Sequence, residues 1–145
     1  MAKHLLLVIL IFSSALFAGE SERFITKVKI PSGETIVVEE GAFEARSIGS
    51  YSIRVYDAAL PEDETTFFRT GLIHAREGAV EKVILADVAG DAQLEIIVTV
   101  RSVGAGNYIS AQSFSIDKEL LVLTNTVENL PPEANPVTAL QELSK

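Results

Sequence analysis

Cysteine and tryptophan are both absent from this 145-residue chain. Without thiols there is no disulfide, no thiolate nucleophile and no cysteine-ligated metal, so a packed core has to hold the fold. Histidine is nearly absent too: His4 and His74 are the whole supply. A triad needs a histidine oriented by an acid and facing a nucleophile, and no motif places such partners around His74, which reads as a packed or surface residue of a strand. No GxSxG, HExxH or glycine loop opening a helix occurs. Carboxylates are plentiful, but no spacing singles out one pair as acid and base. The expectation is therefore a protein that is not an enzyme and needs no cofactor. Basic residues are outnumbered, 12 against 20 acidic, for a net charge of −8. That balance argues against nucleic acid or an anionic membrane surface as partner. The chain has one long apolar run, Leu5 to Phe12, which is shorter than the roughly 20 residues a membrane span needs. With no cysteine after it, no lipid or membrane anchor is expected.

That run is framed as a secretory signal peptide. Lys3 and His4 precede it, and Ser13, Ser14, Ala15 and Ala18 supply small residues before the charged Glu20 and Glu22. Residues 1–18 are expected to be removed after Ala18, with Ala15 as the alternative site, exporting the protein to the periplasm. Cleavage after Ala18 removes Lys3 and no acid, taking the net charge from −8 to −9. The remaining chain is of a length that one domain of about 100–150 residues fills.

Most of what remains alternates with a period of two. Arg23 to Ile30 and Thr35 to Glu39 flank the turn Pro31-Ser32-Gly33-Glu34 and read as a first hairpin. Ser50 to Asp57 puts Tyr51, Ile53 and Val55 on one face. Ala42 to Ile48 is ambiguous, and Ala58 to Thr65 reads as an exposed acidic loop. Phe67 to Ala75 and Val80 to Asp87 flank Arg76-Glu77-Gly78-Ala79, which reads as a further hairpin turn. Leu94, Ile96, Val98 and Val100 alternate with Glu95, Ile97, Thr99 and Arg101; Tyr108 to Ile116 resumes the pattern, and a last strand is expected at Leu120 to Asn125. About eight short strands separated by turns predict an all-β antiparallel β-sandwich or barrel over residues 19–127. Residues 128–145 read as a proline-rich tail, because Pro131, Pro132 and Pro136 cannot donate to a central ladder. A short helix at Val137 to Leu143 either frays or docks through Leu140 and Leu143.

Two stretches invite function. Asp87, Asp91 and Glu95 have the spacing of a calcium loop, but Ala89 lacks a ligand oxygen and Ala92 stands where glycine permits the turn. A strand-connecting turn is the favoured reading there. The second stretch, Ser102-Val103-Gly104-Ala105-Gly106-Asn107-Tyr108, places one tyrosine beside two glycines at a hairpin tip. Tyrosine offers a broad apolar face, a hydroxyl and few rotors to freeze, the properties of a binding anchor. The plainer alternative is that Tyr108 begins the next strand and covers the sandwich edge.

Several segments, in order along the chain, carry a family resemblance. They are the hairpin around Pro31-Ser32-Gly33, the stretch Gly41-Ala42-Phe43-Glu44-Ala45-Arg46-Ser47-Ile48-Gly49-Ser50-Tyr51, the run Val80-Glu81-Lys82-Val83, and the loop from Arg101-Ser102 to Tyr108. Through them, from about Phe24 to Thr124, the chain resembles the periplasmic inhibitors of invertebrate-type lysozyme. The resemblance implies a compact β-sandwich, capable of forming a homodimer, that plugs the active-site cleft of invertebrate-type lysozyme. It also implies the site: a Ser-Gly-x-Tyr or Ser-Gly-x-x-Tyr element on a loop, matched here by Ala105-Gly106-Asn107-Tyr108, with Ser102 and Gly104 in the same loop. Ala105 stands where the family has serine, which leaves Asn107 or Ser102 as substitute donors. The competing reading is an adhesin-like or calcium-dependent extracytoplasmic binding module using Asp87, Asp91 and Glu95.

Overall fold

The computed structural model describes residues 22–63 and 66–145; the expected signal peptide lies outside the described residues. Eight strands follow in chain order: β1 (Ile25–Lys29), β2 (Thr35–Glu40), β3 (Gly49–Tyr56), β4 (Phe68–Arg76), β5 (Ala79–Ala86), β6 (Glu95–Arg101), β7 (Ile109–Asp117) and β8 (Leu120–Leu130). One helix, α1 (Pro136–Leu143), closes the chain. The strands form two four-stranded antiparallel meanders, β1-β2-β3-β4 and β5-β6-β7-β8. Their inner faces carry the alternating apolar set, with Ile36, Val38, Tyr51, Ile53 and Val55 from one sheet meeting Val98, Val100 and Phe114 from the other. The expected all-β sandwich of about eight strands is the architecture observed.

Three expectations change in detail. Arg76 to Ala79 is not a hairpin turn, because β4 pairs with β3 and β5 pairs with β6, so the segment crosses from one sheet to the other. Glycine and charged residues announce that the chain changes direction without saying which strand receives it. Gly78 has φ +123°, and a side chain on it would collide with the carbonyl oxygen of Arg101, so the crossover is also a point of close backbone approach. The alternation read in β6 fails on one side: Ile97 and Thr99 are as buried as Ile96 and Val98. Helix α1 is the cause. Leu140 packs with Ile97, Ala111 and Val88 in a second small core on the outer face of that sheet, while Leu143 stays exposed. Asn135 starts the helix by accepting from the backbone amides of Val137 (3.0 Å) and Thr138 (3.3 Å). Finally, the last strand does not stop at Asn125. β8 pairs with β7 as far as Leu130, opposite Ile109, so the sheet continues past residue 127.

The crossover is fastened by a buried arginine. Arg76 donates to the carbonyl oxygens of Ser50 (3.0 Å), Arg46 (3.0 Å), Ala45 (3.1 Å) and Gly78, and lies 3.8 Å from the buried Glu40 carboxylate. Glu40 in turn accepts the backbone amide of Val80 at 2.6 Å and pairs with Arg46 at 3.2 Å. A buried charge is tolerated when its hydrogen-bonding capacity is filled in this way. The result ties the β2–β3 loop, the end of β4 and the start of β5 into one rigid end.

Candidate functional site

The antiparallel order brings four segments to that same end: the β2–β3 loop over residues 41–48, the crossover at 77–78, the β6–β7 loop over 102–108, and the end of β8. The β6–β7 loop grows out of a hydrogen-bonded frame. Ser102 donates its backbone amide to the Tyr108 carbonyl oxygen at 2.9 Å, closing the hairpin. Arg101 grips Glu81 on the neighbouring strand with two nitrogens at 2.8 and 3.1 Å, and donates to the Asn107 carbonyl oxygen at 2.9 Å. Gly106 (φ +109°) and Asn107 (φ 48°) take the left-handed conformations that turn the chain back. A Cβ on Gly106 would lie 2.6 Å from Cε2 of Tyr108, so the tyrosine ring rests against a glycine that has no side chain to spare. Tyr108 is 47% exposed, and Val103 also projects outward. The loop therefore holds a half-exposed aromatic in a fixed place, as a binding anchor requires.

Behind the loop lies a cleft of about 610 Å³ whose walls include His74, Ser102, Tyr108, Gln112 and Glu128. Its floor is well packed. His74 stacks on Tyr51 with ring centroids 5.4 Å apart and meets the edge of Phe114 at 5.8 Å. Its Nδ1 donates to the Ala75 carbonyl oxygen at 2.7 Å, the only role open to a nitrogen facing a carbonyl. Tyr51 donates its hydroxyl to Oε1 of Gln112 at 3.0 Å, and burial pushes its phenol pKa upward. His74 thus packs in an aromatic cluster.

Of the loop residues singled out from the sequence, Gly104, Ala105, Gly106, Asn107 and Tyr108 are exposed together at the tip. Ser102 is not with them. Its Oγ is buried and lacks a hydrogen-bond partner among the described residues, so Asn107 is the side chain placed to donate from the tip. The calcium-loop residues do not converge. The Asp87 carboxylate accepts the backbone amides of Gly90 (2.7 Å), Asp91 (3.2 Å) and Ala92 (2.8 Å), and Asp91 accepts that of Gln93 at 2.9 Å. Glu95 is buried and accepts from the Thr124 hydroxyl at 2.6 Å. Among the described residues no group of three or more histidine or acidic side chains is placed to hold a metal ion. Sequence reasoning gave Arg76 no role beyond a turn and assigned no site residue to the β2–β3 loop. The signals there were the family resemblance carried by Gly41 to Tyr51 and the pair Gly41 and Gly49 bracketing a segment that fitted neither strand nor helix.

The comparisons with known proteins agree with one another. Residues 22–144 match the family model PliI, periplasmic lysozyme inhibitor of I-type lysozyme. The crystal structure of PliI-Ah, the periplasmic lysozyme inhibitor of I-type lysozyme from Aeromonas hydrophyla, is 38% identical with a TM-score of 0.74, covering 81% of this chain and 98% of that one. The structure of Aeromonas hydrophila PliI in complex with Meretrix lusoria lysozyme is 37% identical with a TM-score of 0.74, covering 81% of this chain and 95% of the other. No curated protein sequence matches the chain. A family match over nearly the whole described chain, joined to relatives above one-third identity along almost their full length, means that this chain belongs to the family of periplasmic inhibitors of I-type lysozyme.

Proposed function

We propose that the chain is exported through residues 1–18, cleaved after Ala18, and inhibits I-type lysozyme in the periplasm by plugging its active-site cleft with the Ser102–Tyr108 loop. The observation that carries the reading is the 37% identical Aeromonas hydrophila relative solved in complex with Meretrix lusoria lysozyme. The loop geometry supports it: Tyr108 is braced on Gly106, closed by the Ser102 amide and held by Arg101. Glycosidases of this kind work with one protonated and one ionised carboxyl group across the scissile bond. A rigid tip carrying the Tyr108 hydroxyl, the Asn107 amide and free backbone donors meets both groups and leaves no room for glycan. No reaction takes place on the inhibitor. The excess of acidic residues speeds encounter with a basic lysozyme more than it strengthens the final complex.

Titration into lysozymes of the invertebrate, chicken and goose types, with Tyr108→Ala beside the natural protein, tests this. The expected result is selective inhibition of the invertebrate type, weakened at least tenfold, about 1.4 kcal/mol, in the variant. Equal inhibition by both proteins would remove the loop from the site; no inhibition of any lysozyme would remove the function.

A further inference from the structure

The β2–β3 loop carries an aromatic residue that the fold gains nothing by exposing. Phe43 is 98% exposed and sits at φ 65°, a left-handed conformation that a bulky non-glycine residue adopts at a cost of about 1–3 kcal/mol. Ile48, at the other end of the loop, is 61% exposed. Neither exposure comes from a slack chain, because the surroundings dictate the loop's course. Arg76 holds the Ala45 and Arg46 carbonyls, and Gly41 donates its amide to the Ser50 carbonyl oxygen at 3.0 Å. The Glu44 carboxylate accepts both the amide (2.5 Å) and the hydroxyl (2.7 Å) of Ser50. The loop's charges are paired, Glu44 with Ser50 and Arg46 with the buried Glu40. Beside the exposed Arg46 and Ser47, the large side chains it leaves facing outward are the apolar Phe43 and Ile48.

The loop is also continuous with the candidate site. Gly78 donates its amide to the Ser47 carbonyl oxygen at 2.8 Å while packing against Arg101 and Ser102, and Ser47 and Tyr108 wall the same cleft. We propose that Phe43 is a second anchor for lysozyme, seated in an apolar or aromatic depression on the rim of the cleft that Tyr108 enters. The inference rests on the inhibitor reading and extends it. Two rigid anchors on separate loops of one fastened end fix the angle of approach, which a single inserted tip does not. The exposed apolar area is a cost carried by the free protein that burial against lysozyme recovers, while the fixed backbone keeps the ring presented before contact.

The same strain supplies the test. Phe43→Gly removes the ring at a backbone angle that glycine prefers, and Phe43→Asn keeps a Cβ on a residue that tolerates this region. Both variants are expected to unfold at the same or higher denaturant concentration than the natural protein, yet to inhibit invertebrate-type lysozyme at least tenfold less well. Phe43→Tyr, which retains the ring, is expected to restore inhibition to within about threefold. Unchanged inhibition by the Gly and Asn variants, in a titration where Tyr108→Ala is weakened, overturns the second anchor and leaves the inhibitor reading standing. Unchanged inhibition accompanied by a change in molar mass by light scattering also overturns it, assigning Phe43 to contact with a second copy. A natural protein that inhibits no lysozyme overturns both.

Discussion

At the scale of single residues, Ala105 stands where the family resemblance implies a serine. The position is exposed at the loop tip, and the nearby Ser102 hydroxyl is buried away from it. A hydrogen bond to a charged group is worth about 1.5–3 kcal/mol. Ala105→Ser is therefore expected to tighten inhibition of invertebrate-type lysozyme by roughly ten- to a hundredfold, with stability altered by no more than about 0.5 kcal/mol because the position is exposed. An inhibition constant that does not move would show that the Asn107 amide already fills the serine's role. Arg76 is the contrasting residue. It looks like an ordinary turn arginine in the sequence and is one of the least exposed polar residues of the fold. Its importance comes from four carbonyl oxygens contributed by residues 45, 46, 50 and 78, which only folding assembles.

At the scale of elements, the C-terminal helix carries the clearest consequence. Its eight residues are too few to be stable alone, so the helix persists because Leu140 enters the pocket made by Val88, Ile97 and Ala111. Leu140→Ala should cost about 2–5 kcal/mol, the range for truncating a buried leucine, whereas Leu143→Ala should stay within about 0.5 kcal/mol. Urea unfolding of the two variants checks this directly, and equal midpoints would mean that the helix contributes nothing to the cooperative core. The periods of β2 and β3 were legible because one face of each strand meets the core and the other meets solvent. β6 was misread as half-polar because a helix, distant in sequence, covers its outer face.

At the scale of the whole molecule, charge links pH to stability. Glu34, Glu44 and Glu119 all have carboxyl pKa values held below the ordinary 4.5. The leading causes are the Ser32 hydroxyl for Glu34, the Ser50 amide and hydroxyl for Glu44, and the Arg69 guanidinium for Glu119. Arg69 also reaches Glu34 at 2.9 Å and Glu119 at 2.7 Å, joining turns of the two sheets at the end opposite the candidate site. Because these pKa values are depressed on folding, the stability they contribute is complete above pH 4.5 and is lost as pH falls through the lowered values. The urea midpoint should thus change little through these groups between neutral pH and about 5, and fall steadily below 4.5. Glu44→Gln and Glu119→Gln should each flatten that fall, and a midpoint profile identical to the natural protein's would exclude the carboxylate concerned.

The sequence by itself determined the strand periods, the hairpin turns that join neighbours, the absence of thiol chemistry, and the loop from Ser102 to Tyr108 as the place to look for binding. These are local properties: alternation, turn chemistry and composition act over a few residues and survive without knowledge of the partner strand. Only the tertiary structure decided that the segment after β4 crosses between sheets, that the Ser102 hydroxyl is withdrawn from the tip, and that Phe43 is held exposed on a loop at the same end of the sandwich as Tyr108. Each of these depends on contacts between residues far apart in the chain, where hydrogen-bond capacity and excluded volume, rather than local preference, choose the conformation.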